Sequence, residues 1–130
     1  MVRFDPHELP DAARDFLSER HLASLTTFRA DGSAHVVPVG FTFQAPAFAW
    51  VITNDRSVKV RNASAAGTRG ALCQIDGRYW LTLEGSLTVT RDAAQIAGAV
   101  ERYAARYRRP RVNPTRVALR MTVDRVMGNV

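Results

Sequence analysis

The stretch Thr53-Asn54-Asp55-Arg56-Ser57-Val58-Lys59-Val60-Arg61-Asn62 gathers the residues best suited to binding chemistry. A helix that starts here presents unpaired backbone N–H groups and a partial positive charge at its first turn. Ser57 adds a hydroxyl, and Arg56, Lys59 and Arg61 add cationic donors. Together they describe an anion site, where a phosphate accepts several charge-assisted hydrogen bonds of about 1.5–3 kcal/mol each. The plainer reading of the same residues is a capped surface helix with solvated cations. Lys59 stands out because it is the single lysine among 18 basic residues.

Other side chains offer less. His7, His21 and His35 are dispersed and lack the spacing of metal ligands, which predicts no metal site. Cys73 is the only cysteine, so no internal disulfide forms; within Leu72-Cys73-Gln74-Ile75 it is expected as a small core residue rather than a nucleophile. The four glutamates show no pairing suited to glycoside hydrolysis. Dinucleotide, P-loop and nucleophile-elbow motifs are absent. No side chain is thereby singled out as catalytic, and an enzyme built from these residues draws its reactive centre from a cofactor.

The elements that position these residues are mostly strands. Six segments alternate with period two or read as short apolar runs: His21 to Phe28, Ala34 to Phe43, Phe48 to Thr53, Ala71 to Ile75, Tyr79 to Val89 and Arg116 to Val126. Asp31-Gly32 and Asp76-Gly77 mark two hairpin turns. In the second segment Val37, Val39, Phe41 and Phe43 share one face, while Pro38 and Gly40 opposite them suit an edge, a bend or a ligand. In the sixth, Val117, Leu119, Met121 and Val123 share a side. Helices are predicted over Pro10 to Arg20, with Pro10 in its first turn, and over Ser57 to Ala66, with Ser57 as N-cap. A third starts at Thr90 or Asp92, carries Ile96, Val100, Tyr103 and Tyr107 at helical spacing, and ends before Pro110. The expected fold is mainly β with peripheral helices: a six-stranded antiparallel barrel or sandwich, closed enough to remove exposed edges.

With 130 residues, 46% of them hydrophobic and 23% charged, the chain reads as one globular domain over residues 1–130, which argues against disorder and repeats. Without a long apolar run or a secretory leader it is expected in the cytoplasm, away from membranes. The net charge of +6 lies entirely in the last thirty residues, where eight arginines face Glu101 and Asp124. Such a cluster suits phosphates, carboxylates or nucleic acid, so a non-enzymatic nucleic-acid-binding barrel is one reading. The interleaved aromatics are limited to Tyr103 and Tyr107, already claimed for helix packing, which makes nucleic acid an unlikely ligand.

Taken in order, Phe16 to Ala23, Leu25-Thr26-Thr27, His35 to Phe43, Val51 to Thr53 with Lys59 and Asn62, Trp80 to Gly85, Arg102 to Arg108 and Asn113-Pro114 give the chain a family likeness. It resembles the split β-barrel oxidoreductases related to pyridoxamine-phosphate oxidase, the FMN-binding split barrels, and within them the deazaflavin-dependent branch. The resemblance covers about residues 10–128 and implies a homodimer with a cofactor in each groove between subunits. The cofactor implied is coenzyme F420, an 8-hydroxy-5-deazaflavin, with FMN as the alternative. The activity implied is hydride transfer from the reduced coenzyme to a conjugated small-molecule acceptor such as biliverdin, giving bilirubin. By the same resemblance, the strand His35, Val36, Val37, Pro38 and Val39 runs beside the ring, and Thr53, Arg56, Ser57, Val58, Lys59 and Asn62 hold the phosphate and its linker. Trp80 borders the ring or tail from the partner subunit. Arg78, Arg106 and Arg108 are candidates to receive carboxylates of the glutamyl tail or of the substrate.

Overall fold

The computed structural model describes all of residues 1–130. Its elements in chain order are β1 (Val2–Phe4), α1 (Asp11–Ser18), β2 (Ala23–Phe28), β3 (Ala34–Val39), β4 (Thr42–Gln44), β5 (Phe48–Asn54), α2 (Val58–Ala63), β6 (Arg69–Asp76), β7 (Tyr79–Thr90), α3 (Ala93–Arg106) and β8 (Arg116–Asn129). All strands join one antiparallel sheet in the order β3-β2-β6-β7-β8-β5-β4, with β1 added on β8. The sheet curls around its core without β3 and β4 pairing across the gap. This is the split barrel expected, with eight strands rather than six.

The two additional strands have plain causes. Gly40 and Phe41 interrupt the second predicted segment, so it divides into β3 and β4, and β3 becomes an edge strand paired only with β2. Three N-terminal residues, too short to show periodicity, pair with Val126–Gly128 as β1. His21 and Leu22 precede β2 rather than begin it. Both Asp-Gly turns form, with Gly32 at φ 86° and Gly77 at φ 61°, a region that side chains with a Cβ rarely enter.

The core follows the period-two pattern. Leu81, Leu83 and Leu87 of β7 are buried, and Val117, Leu119, Met121 and Val123 of β8 face them. Between Glu84 and Gly85 the pairing slips: Glu84 opposes Arg125 and Gly85 opposes Val123, leaving Asp124 as the additional residue of a bulge. Beyond it the buried parity of β8 reverses, so Val126 and Gly128 turn inward. Cys73 corrects an expectation: it is half-buried on the outward parity of β6, between Ser24 and Thr82, because the inward positions belong to Leu72 and Gln74.

Helix α1 begins after Pro10, which is its N-cap rather than a first-turn residue, and seats Ala13, Phe16 and Leu17 on the core. Asp92, not Thr90, caps α3 by accepting from the Gln95 N–H. Helix α3 lies on the outside of the sheet, where Ile96 and Ala99 pack with Trp50, Ile52 and Ala118 in a second small cluster. No helix is long and apolar enough to cross a membrane.

Candidate functional site

Where the barrel fails to close, a cleft of about 330 Å³ opens. One wall is the end of β3, Pro38 to Gly40, and the other is the end of β5, Val51 to Asn54. Lys59 enters from the first turn of α2, Tyr103 from α3, Pro110 and Asn113 from the loop leading into β8, and Arg116 from the first position of β8. The edge position of β3 is what leaves this wall open, since a paired strand would have covered it. Gly40 is required by space: a Cβ there would lie 3.0 Å from Tyr103 Cε2 and 3.2 Å from Tyr107 Cε2. The tyrosine rings, with centroids 4.8 Å apart, thus press against the backbone at the strand break.

The lining is cationic. Lys59 and Arg116 are its only charged residues, and no carboxylate lines it. Burial pulls the Lys59 ammonium below the usual lysine range, because the charged form loses water without gaining a carboxylate partner. Asp55 close by is engaged elsewhere, by Arg91 at 2.5 Å. The far wall is held by amides and turns: Asn113 donates to the Asn54 side chain and accepts from the backbone N–H and the hydroxyl of Thr115. Ser57 occupies the N-cap position of α2 as expected, yet its side chain makes no capping bond. Its oxygen instead lies 3.4 Å from the Thr53 hydroxyl. Thr53, Ser57 and Lys59 thus meet where β5 hands over to α2. Such a cleft can receive an anion at the lysine end and a flat body along the β3 backbone.

The sequence-predicted residues divide. Pro38, Val39, Thr53 and Lys59 line the cleft, Ser57 and Val58 open α2 beside it, and Arg56 stands exposed next to them. His35, Val36 and Val37 lie farther along β3. The His35 Nδ1 is buried without a partner, Val37 packs on the core, and Val36 points outward at 57% exposure. Asn62 is buried and donates to the Thr27 hydroxyl at 2.9 Å, tying α2 to β2. Trp80 is at the start of β7, opposite Ile75 and Asn129, away from this protomer's cleft. Arg78 sits on the β6–β7 turn and bonds the Tyr79 hydroxyl at 3.0 Å.

Arg106 departs most from its expected part. Its guanidinium donates to the Glu19 carbonyl at 2.8 Å, the Phe41 carbonyl at 2.6 Å and the Gln74 Oε1 at 2.6 Å, and it lies over the Phe41 ring. It fastens α3 across the end of the barrel, with three of its five N–H donors spent on protein oxygens. Arg108 is exposed at a separate depression with Arg20, His21 and Leu22. The C-terminal arginines therefore do not form one basic stripe: Arg106 is internal, Arg109 pairs with Glu101 and Arg116 enters the cleft. Sequence reasoning marked Gly40 as suiting a bend or a ligand but gave no individual ligand role to Asn54, Tyr103, Asn113 or Arg116. Tyr103 carried only a packing signal, and nothing local says that the loop after Pro110 returns to β5.

An open antiparallel barrel with a cationic cleft at its split defines a class of cofactor-binding folds, and the comparisons agree. The chain belongs to the pyridoxamine 5'-phosphate oxidase family, whose sequence profile matches residues 9–129. It is 51% identical over 122 residues to the F420H(2)-dependent biliverdin reductase of Mycobacterium tuberculosis (strain CDC 1551 / Oshkosh), covering 93% of this chain and 88% of that protein. Among solved structures it is similar to Rv2991 of Mycobacterium tuberculosis, with a TM-score of 0.79 at 17% identity over 98% of this chain and 89% of the other. An F420 reductase superposes with a TM-score of 0.71 at 20% identity over 92% of this chain and 98% of that one. These structural likenesses concern the fold alone.

Proposed function

We propose that this protein is a reductase that uses reduced coenzyme F420 to transfer a hydride to biliverdin. The observation that carries the reading is the 51% identity, over nearly the whole chain, to an F420H(2)-dependent biliverdin reductase. The site fits. Lys59, with the hydroxyls of Ser57 and Thr53 beside it, offers donors to a phosphate, and no carboxylate in the lining opposes an anion. In the wall from Pro38 to Gly40 the strand is an unpaired edge and Gly40 has no side chain, which lets a flat ring approach the backbone closely. When bound, the coenzyme supplies the hydride.

The part left to the protein is placement. Lys59 and Ser57 would anchor the charged end, and the β3 edge with Tyr103 would fix the plane of the ring. Holding two reactants in near-attack geometry contributes up to about 7–11 kcal/mol to lowering a barrier without a catalytic side chain. A second copy of the chain would complete the groove. The outward face of β3, β2, β6 and β7 carries Val36, Phe28 and Ile75, at 57%, 51% and 61% exposure, with Cys73 and Trp80 among them. Exposed apolar side chains gathered on one face mark an interaction surface, from which Trp80 would reach a partner's cleft.

The test is a fluorescence titration of the purified protein with oxidised coenzyme F420 and, in parallel, with FMN. The expected result is saturable binding of the deazaflavin, weakened by about tenfold or more in Lys59→Ala through loss of a charge-assisted phosphate contact. Preference for FMN would move the chain to the flavin-using side of its family. Absence of deazaflavin binding by the unmodified protein would end the proposal. Bleaching of biliverdin by reduced coenzyme then tests the acceptor.

A further inference from the structure

A second cavity, of about 380 Å³, lies on the outside of the barrel between α3 and the sheet, and it shares no lining residue with the cleft. Gln44, Phe48 and Trp50 come from β4 and β5, Arg120 from β8, and Ala94, Gln95, Gly98 and Arg102 from α3. Strand pairing sets Trp50 directly against Arg120, so the arginine and the aromatic pair share one face. The Arg102 guanidinium lies 4.9 Å over the Trp50 ring, and that of Arg120 lies 5.4 Å over Phe48.

The cavity is a one-sided set of donors. Seven ion pairs form in the molecule and neither arginine takes part in one. The Nε–H of each arginine is buried with no acceptor, an arrangement rare in folded proteins and costly to leave uncompensated. Both glutamines present the same sign. Trp50 Nε1 can only donate, and it donates to the Gln44 Oε1 at 2.8 Å, which turns the Gln44 amide N–H groups free. Thr90 donates to the Gln95 Oε1 at 2.6 Å, with the same consequence. Two guanidiniums and two amide NH2 groups therefore border one space that contains no carboxylate. Gly98 sets the backbone of α3 beside the Arg102 guanidinium, where a Cβ would meet Nη1 at 3.4 Å, an ordinary contact distance. Burial also pulls the Arg102 guanidinium below its ordinary range, as expected of a cation held out of water without a counter-ion.

We propose that this cavity is a binding site for a small organic anion bearing two oxyanion groups, gripped by Arg102 and Arg120. The aromatic rings hold the guanidiniums by their faces and leave their edges for carboxylate or phosphate oxygens, which planar arginine grips in bidentate fashion. The site is separate from the coenzyme cleft, and it stands whether or not the coenzyme assignment does.

The test follows the arginine Nε–H signals of the whole protein by nitrogen-15 NMR at constant ionic strength, with glutarate in one titration and inorganic phosphate in another. The expected result is saturable movement of two Nε–H signals by at least one of these anions, with glutarate alone marking a dicarboxylate ligand and phosphate alone a phosphorylated one. Arg120→Gln and Arg102→Gln are expected to weaken that binding by about tenfold or more each, the loss of one charge-assisted contact, while Lys59→Ala leaves it unchanged. Should either variant fail to fold, the signals of the unmodified protein decide alone. Signals unmoved by both anions, or binding that survives in the arginine variants and disappears in Lys59→Ala, would overturn the proposal.

Discussion

Arg106 and Lys59 show how one residue type or charge acquires meaning only from what surrounds it. Both are partly buried cations pulled down by desolvation, yet Arg106 is bonded to three protein oxygens and Lys59 lines an open cleft. Replacing Arg106 by Met would leave the Gln74 Oε1, on a fully buried side chain, without its donor, and would detach α3 from the Glu19 carbonyl. We expect a loss of about 2–4 kcal/mol in urea unfolding, the range for breaking a buried network with charged donors. Arg108→Ala, an exposed change, should stay within about 0.5 kcal/mol. A loss below about 1 kcal/mol in Arg106→Met would mean that water replaces the guanidinium and that the side chain is free for a ligand after all. Lys59 was legible as an oddity in an arginine-rich sequence. The fate of Arg106 was not, because its acceptors come from residues 32 to 87 positions away.

At the level of elements, local pattern located the strands and helices well and their junctions poorly. Alternation in Tyr79 to Thr90 and turn chemistry at Asp31-Gly32 and Asp76-Gly77 are properties of neighbouring residues, so they could be read directly. The break at Gly40-Phe41 could not, since the apolar period runs on through it. It arises because Tyr103 and Tyr107 of α3 press there, and the Tyr107 hydroxyl accepts from the Phe41 N–H at 3.1 Å and donates to the Phe41 or His21 carbonyl. Half of the cleft is legible for the same reason: the β5-to-α2 junction is one continuous segment, whereas Tyr103, Asn113 and Arg116 arrive from elsewhere in the chain. Gly40→Val should therefore act on packing and on the cleft together. Overpacking of this kind costs about 1–3 kcal/mol, read as a fall in melting temperature. Coenzyme titration should weaken in parallel, because the displaced ring is a wall of the cleft. A variant that melts earlier but binds unchanged would separate Tyr103 from the site.

For the whole molecule, the sheet has two outer faces with different partners. α3 covers β5 and β8, while the outward face of β3, β2, β6 and β7 leaves Val36, Phe28 and Ile75 exposed. Ile75→Arg places a charge in that face at a position 61% exposed in the protomer, so the fold itself should be unaffected. If a second copy docks on this face, sedimentation should report a dimer for the unmodified protein and a monomer for the variant, with loss of coenzyme affinity if Trp80 serves the partner's cleft. Equal sedimentation of both proteins would place the interface elsewhere.

The long strand β8 pairs with β1, β5 and β7 and also leads out of the loop that walls the cleft. As a chain grows on the ribosome, this hub is the last of the elements to emerge, and until then β5 and β7 have no neighbour between them. Every earlier strand must wait for β8 with its apolar side provisional, so the decisive collapse is slow in the manner of folds dominated by distant pairings. The candidate cleft and the sheet that frames it are completed in that same moment.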